Sequence, residues 1–303
     1  MRHSLKALTK AENVVISVFM CSCVFSACTK DDEPEKAVPE TVIKVDVNDD
    51  PIQEHVTINF APIYKMEPMT RSDLSSSGMA RLDVWIFEGS TEISAVHQTS
   101  TDVGFGSVSL SLNKTKTYTL YAIAHKATAE CTLANGIISY PDEKPKESFF
   151  YSTTFSPTTT TALNCAMSRI CGKFTMATTD AVPDEVDYVR FVIKQTGTRF
   201  NVTTAEPANI IDRTVDFTSL SRKSDGTISF AFYILSTSDA ATNFEIVATA
   251  YTADNDIIET KTFADVPIRN NYRTTYSGSF FTTSSMSMTF TADDWNDYDV
   301  INF

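Results

Sequence analysis

The chain is 303 residues long and carries a formal net charge of −13, with 42% hydrophobic and 11% aromatic residues. This length exceeds a single β-sandwich of about 100 residues and leaves room for two cores. The acidic balance, without clustered Lys or Arg, argues against a nucleic-acid partner, because holding a phosphate backbone takes basic patches.

At the N-terminus Arg2, Lys6 and Lys10 precede the apolar run Val14 to Phe25, which is followed by the small residues Ser26 and Ala27. That order is the order of a secretory leader over residues 1–27. The run has 12 residues, whereas a bilayer-spanning helix needs about 20, so a transmembrane anchor is not expected. Phe25-Ser26-Ala27-Cys28 resembles a lipobox, in which small residues fit the peptidase and the Cys28 thiol accepts a diacylglyceryl group, with palmitate as a typical chain. Plain cleavage after Ala27, with Cys28 a bystander, is the alternative. Loss of Arg2, Lys6, Lys10 and Glu12 with the leader leaves 22 Lys+Arg against 37 Asp+Glu, or −15.

Residues 28–40 are charged and proline-bearing, cannot bury apolar area, and read as a flexible tether. The acidic cluster Asp31, Asp32, Glu33 and Glu35 resembles the export signal that sends lipoproteins of Bacteroides-like bacteria to the outer face of the outer membrane. A solvated linker with no address in it is the bland reading.

Period-two alternation then marks strands at 41–47, 55–60, 81–87, 107–112 and 117–124, and again at 172–177, 188–194, 227–234, 244–251 and 287–291. The expectation is an all-β chain of two sandwiches, residues 41–163 and 164–303. The segment 151–161 is either a linker or the last strand of the first half. No long stretch has a convincing helical period, although Asp212 to Leu220 could hold a short helix. Trp85 and Phe87 share one face of a strand and are expected to be buried, with Trp85 at the centre of the first core.

Cys131, Cys165 and Cys171 are an odd set, so they cannot all pair with one another. Cys165 and Cys171 could bridge, and buried free thiols are at least as good a reading. His55, His97 and His125 stand alone in sequence, without close Cys or His pairs for zinc. There is no GxSxG, HExxH or phosphate-binding glycine run. Asp293 and Asp294 are neighbours that would point to opposite faces of a strand, and a solvated turn suits them better than paired acid-base catalysis. No enzyme activity, cofactor or metal is therefore expected.

Six segments carry a resemblance over nearly the whole chain after the leader. The lipobox and acidic tether, then Met69-Thr-Arg-Ser72 and Leu82-Asp-Val-Trp-Ile-Phe87, look like the start of Bacteroides-type fimbrillins, the FimA-like and FimB-like pilus subunits. Met167-Ser-Arg-Ile-Cys-Gly-Lys-Phe174 and the proline-led Val182 to Val189 continue the likeness. Val266-Pro-Ile-Arg-Asn-Asn-Tyr-Arg-Thr-Thr-Tyr-Ser-Gly-Ser-Phe-Phe281 is the most specific match. The resemblance implies two transthyretin-like β-sandwiches in a cell-surface fimbria, joined to other subunits by strand exchange. The compact length and the Leu82 to Phe87 segment look most like the lipid-retaining, FimB-like anchor subunits. In stalk subunits of this family, cleavage after a basic residue removes the first strand. Arg71 stands where such a cut would fall, or is a loop arginine with no role. A surface lipoprotein that binds a host or bacterial glycan is the rival, and it would need exposed aromatic platforms that Trp85 and Trp295 do not promise.

Overall fold

The computed structural model describes residues 52–63, 74–238, 240–282 and 289–294. The leader, Cys28, Asp31, Asp32, Glu33, the strand expected at 41–47, Arg71 and Trp295 lie outside the described residues. Strands and two short 3-10 turns are the regular elements among those described, so the chain is all-β.

The first half supplies β1 (Gln53–Ile63), β2 (Arg81–Glu88), β3 (Thr91–Thr99), β4 (Ser107–Asn113), β5 (Tyr118–His125), β6 (Thr132–Ala134), β7 (Ile137–Ser139), β8 (Ser148–Phe155) and β9 (Ala162–Arg169). Seven of these form one path in the order β3-β2-β5-β8-β9-β1-β4. β8 and β9 share only the register pairs Phe149/Arg169 and Phe150/Ser168. The path therefore opens at that corner into two faces, with a core of alternate residues between them. Val56, Ile58 and Phe60 of β1 meet Leu82, Val84 and Ile86 of β2, Leu120 and Ala122 of β5, and Cys165 and Met167 of β9.

The second half contains β10 (Cys171–Thr178), β11 (Tyr188–Asn201), β12 (Glu206–Phe217), β13 (Ser229–Leu235), β14 (Thr242–Tyr251), β15 (Ile257–Ile268), β16 (Tyr272–Gly278) and β17 (Thr289–Asp294). One sheet runs β13-β10-β16-β17, the other β15-β14-β11-β7-β6, and β12 pairs with β11. Phe174, Phe191, Phe230, Phe232 and Phe263 fill the core between the two sheets, with edge-to-face and tilted ring contacts.

The two halves share strands and a third apolar cluster. Asn135 and Gly136 both have positive φ, 51° and 72°, the backbone of a two-residue hairpin turn, and they reverse the chain between β6 and β7. β7 then pairs with the end of β11, so a hairpin from the first half completes a sheet of the second. Trp85, Ile123, Tyr140, Phe150, Ile170, Phe200 and Leu235 pack together at this seam.

Several expectations change against this fold. Trp85 is buried, 3% exposed, but at the seam and not in the centre of the first core. The reason lies in β2, which is apolar on both faces: Leu82, Val84 and Ile86 point into the first core, while Asp83, Trp85 and Phe87 take the opposite side. Where a short helix could lie at Asp212 to Leu220, residues 212–217 are instead the later part of β12, which is in register with β11 from Phe217/Val189 to Glu206/Asn201, and 218–220 are neither helix nor strand. Long-range pairing there outweighs the local pattern. Asp293 and Asp294 end β17, opposite Arg273 and Tyr272, and do not form a turn. Cys131, Cys165 and Cys171 are all buried, and none is in a disulfide. Leu163, the boundary set from sequence, lies inside β9, and the change of core comes between Met167 and Phe174.

Candidate functional site

β1 lies between β4 and β9 and pairs along both of its edges. Its inward residues alternate by two, so Val56 and Ile58 are fully buried and Phe60 is 4% exposed. It runs antiparallel to β4 from Gln53/Asn113 to Asn59/Ser107. On the other side it runs parallel to β9, from Thr57/Ala162 to Ile63/Ser168. Further bonds hold its ends: Phe60 N–H donates to the Gly106 carbonyl at 2.8 Å, and Lys114 N–H to the Ile52 carbonyl at 2.8 Å. Outside the core, Ser107 Oγ donates to Asn59 Oδ1 at 2.9 Å.

Withdrawing β1 would unpair β4 and β9 along facing edges and open an apolar slot where Val56, Ile58 and Phe60 now sit. Such a slot matches an incoming strand with apolar side chains at alternate positions. After β1 the chain returns at a 3-10 turn, Leu74–Ser76, whose Leu74 is buried in the same core. Arg71 belongs to the intervening stretch outside the described residues, as Cys28, Asp31, Asp32 and Glu33 do before β1.

A second constellation lies at the seam, and sequence reasoning missed it. Asp83 on β2 stands directly opposite His97 on β3, and His125 ends the neighbouring β5 on the same side. Asp83 Oδ1 lies 2.9 Å from His97 Nδ1, and Oδ2 lies 2.8 Å from His125 Nε2. Oδ2 also accepts the Cys131 N–H at 2.7 Å. The Ala127 N–H points at His125 Nδ1, 3.2 Å away, which assigns the Nε2 proton to the bond with Asp83. Burial alone would raise the Asp83 pKa, but hydrogen bonds and attraction from His125, the Cys131 N–H and His97 outweigh it and hold the carboxyl below its ordinary value.

Asp83, His125 and Cys131 have the donor types of a metal centre, with ligand atoms within 4.8 Å of one another. The hydrogen bonds do not fit one. A metal on His125 Nε2 needs that lone pair free and a proton on Nδ1, where the Ala127 N–H already points. A Cys–His nucleophile fits no better. Cys131 Sγ is 3.4 Å from His125 Nε2, but that nitrogen carries a proton and faces Asp83, while burial, with a smaller push from the Asp83 charge, drives the thiol pKa strongly upward. The arrangement is a satisfied buried network that ties β2, β3 and β5 to the segment leading into β6. The one signal for it in the sequence is a lone Asp inside the apolar run Leu82 to Phe87.

Two segments of the sequence resemblance meet nearby. Arg169, at the end of β9, donates from Nη1 to Asn271 Oδ1, and its Nη2 lies 2.8 Å from Glu147 Oε1, with both charges buried. Asn271 N–H donates to the Cys171 carbonyl at 3.1 Å. A Cβ on Gly172 would lie 2.6 Å from the Arg269 carbonyl oxygen, so only glycine lets β10 approach this turn.

Solved structures share this fold at low identity. A candidate polysaccharide-binding protein from Bacteroides thetaiotaomicron is 11% identical, with a TM-score of 0.51 over 81% of this chain and 99% of that one. A candidate adhesin from Bacteroides ovatus is 11% identical, with a TM-score of 0.50 over 78% of this chain and 95% of that one. The fimbrial anchor protein Mfa2 from Porphyromonas gingivalis is 11% identical, with a TM-score of 0.47 over 80% of this chain and 98% of that one. No curated protein matches the chain. A family model matches residues 52–301, so the chain belongs to the family described as "Family of unknown function (DUF6562)".

Proposed function

We propose that this chain is a structural subunit of a cell-surface fimbria, held in the outer membrane by a lipid on Cys28 and joined to other subunits by β-strand complementation. The observation that carries the reading is the place of β1. It pairs on both sides, fills its share of the first core, and is the first strand among the described residues. Covalent lipid, tether and first strand then belong to one polypeptide, which suits an anchor subunit that keeps β1. Cleavage after Arg71 would suit a stalk subunit that surrenders it.

The rival platform for a glycan loses one of its two tryptophans, because Trp85 is buried at the seam. In this proposal the chain has no catalytic role, in keeping with the buried, mutually hydrogen-bonded state of Asp83, His125 and the Cys131 N–H. Adhesion, the role attached to the B. ovatus protein of the same fold, is extended to this chain as part of the same reading.

N-terminal sequencing of the surface protein, with blotting of membrane and shed fibre fractions, tests the proposal. An anchor retains residues 28–71 and copurifies with fibres, whereas a stalk subunit begins at Ser72. A lipidated, uncut chain that never accompanies a fibre would sink both versions.

A further inference from the structure

A cavity of about 520 Å³ opens between β12 and β13 and shares no lining residue with β1 or the Asp83 network. Both strands are at edges: β12 pairs only with β11, and β13 ends its four-stranded sheet. The cavity is walled by Phe217 and Tyr233, and Lys144 and Lys146 stand at it on the exposed loop between β7 and β8. Arg213 is the one buried residue of β12, 6% exposed, and it too lines the cavity. One Nη donates to the Tyr233 carbonyl at 2.6 Å, while the buried Nε has no hydrogen-bond partner.

A guanidinium buried at an edge strand without a carboxylate is costly to fold around. Burial pushes the Arg213 pKa down to about 10, and no acidic group opposes that shift. The nearest acidic wall residue, Asp216, is occupied by Arg190, with Nε–Oδ1 at 2.7 Å and Nη2–Oδ2 at 2.9 Å. Three cations thus line one cavity in a chain of net charge −13, and among the described lining residues no unpaired carboxylate completes them.

We propose that this cavity binds a small carboxylate-bearing ligand of the size of an acidic sugar residue, with Arg213 as the fork and Lys144 and Lys146 as the rim. A planar guanidinium pairs best with a flat two-oxygen anion. The volume is that of a compact ligand and not of an extended chain. The Phe217 and Tyr233 rings offer apolar wall to the C–H face of a pyranose. The inference is independent of the fimbrial reading.

Calorimetric titration of the full chain with D-glucuronate tests it, with D-glucose, inorganic phosphate and an acidic tripeptide as comparison probes. The expected result is saturable glucuronate binding at concentrations of about 10 mM or below, with each comparison probe at least about tenfold weaker. Arg213→Gln should abolish the signal. Because that change touches a buried group, the exposed double variant Lys144→Ala/Lys146→Ala is titrated beside it and should weaken binding severalfold with an unchanged melting curve. No saturation by glucuronate, equal binding of glucose, phosphate or peptide, or unchanged binding in both variants would overturn the proposal.

Discussion

Arg169 and Asn271, 102 positions apart, are joined by a buried hydrogen bond from the arginine Nη1 to the asparagine Oδ1. The same guanidinium faces Glu147, so one cation links the end of β9, the segment before β8 and the turn between β15 and β16. Glu147→Ala removes the carboxylate while leaving a buried charge. It should cost about 3–5 kcal/mol in urea unfolding, and Glu147→Ala/Arg169→Met should recover most of that loss. Equal loss in the single and double variants would show that packing, and not the ion pair, matters there.

Trp85→Ala should cost about 3–5 kcal/mol because the side chain is buried among large groups. Its place at the seam predicts where the damage appears. Limited proteolysis should cut the segment around β6 and β7 before the first core opens, and a first cut inside β1 or β9 would contradict that assignment.

The ionised Asp83 supplies pH-dependent stability of a definite sign. Its folded pKa is lowered from 3.8, so the contribution is fully present above that value and is lost as pH falls from it toward the lower folded pKa. Urea midpoints measured from pH 6 down should fall more steeply for the natural chain than for Asp83→Asn. The variant should be less stable at pH 6, because it leaves His97, His125 and the Cys131 N–H without their common acceptor.

The thiols of Cys131, Cys165 and Cys171 should be silent to a thiol reagent in the native chain and should all react once it is denatured. Burial alone pushes the Cys165 pKa up to about 12, so little thiolate exists near neutrality. Mass spectrometry of unreduced peptides should find no Cys165–Cys171 bridge.

Loss of β1 should be nearly equivalent to unfolding the first half. Val56, Ile58 and Phe60 each contribute about 1.5–3 kcal/mol of burial, which together rivals the about 5–15 kcal/mol that holds a typical domain. A chain beginning at Ser72 should therefore be soluble and native only when a synthetic peptide of residues 52–63 is supplied, with both readouts in far-ultraviolet dichroism. Full native stability without peptide would remove the basis for strand complementation.

The sequence made the strands legible where one face is wet, as in β1 and β4, since alternation by two is a local property. It could not assign the faces of β2, where Leu82, Val84 and Ile86 compete with Trp85 and Phe87 for the core. β12 was unreadable for a related reason: its pattern is mostly exposed, and its strand state comes from pairing with β11. The Asp83 network was invisible because His97, His125 and Cys131 are brought to the carboxylate by strand register and not by spacing along the chain.

The two-sided pairing of β1 also has a mechanical meaning. Tension entering at Gln53 and directed along the strand would pull β1 lengthwise between β4 and β9, so both rows of hydrogen bonds bear the load together in shear. A hairpin peeled from an edge, by contrast, gives way one bond at a time. A molecule moored through residues preceding β1 would thus place its strongest resistance to tearing at the point where the mooring line enters the fold.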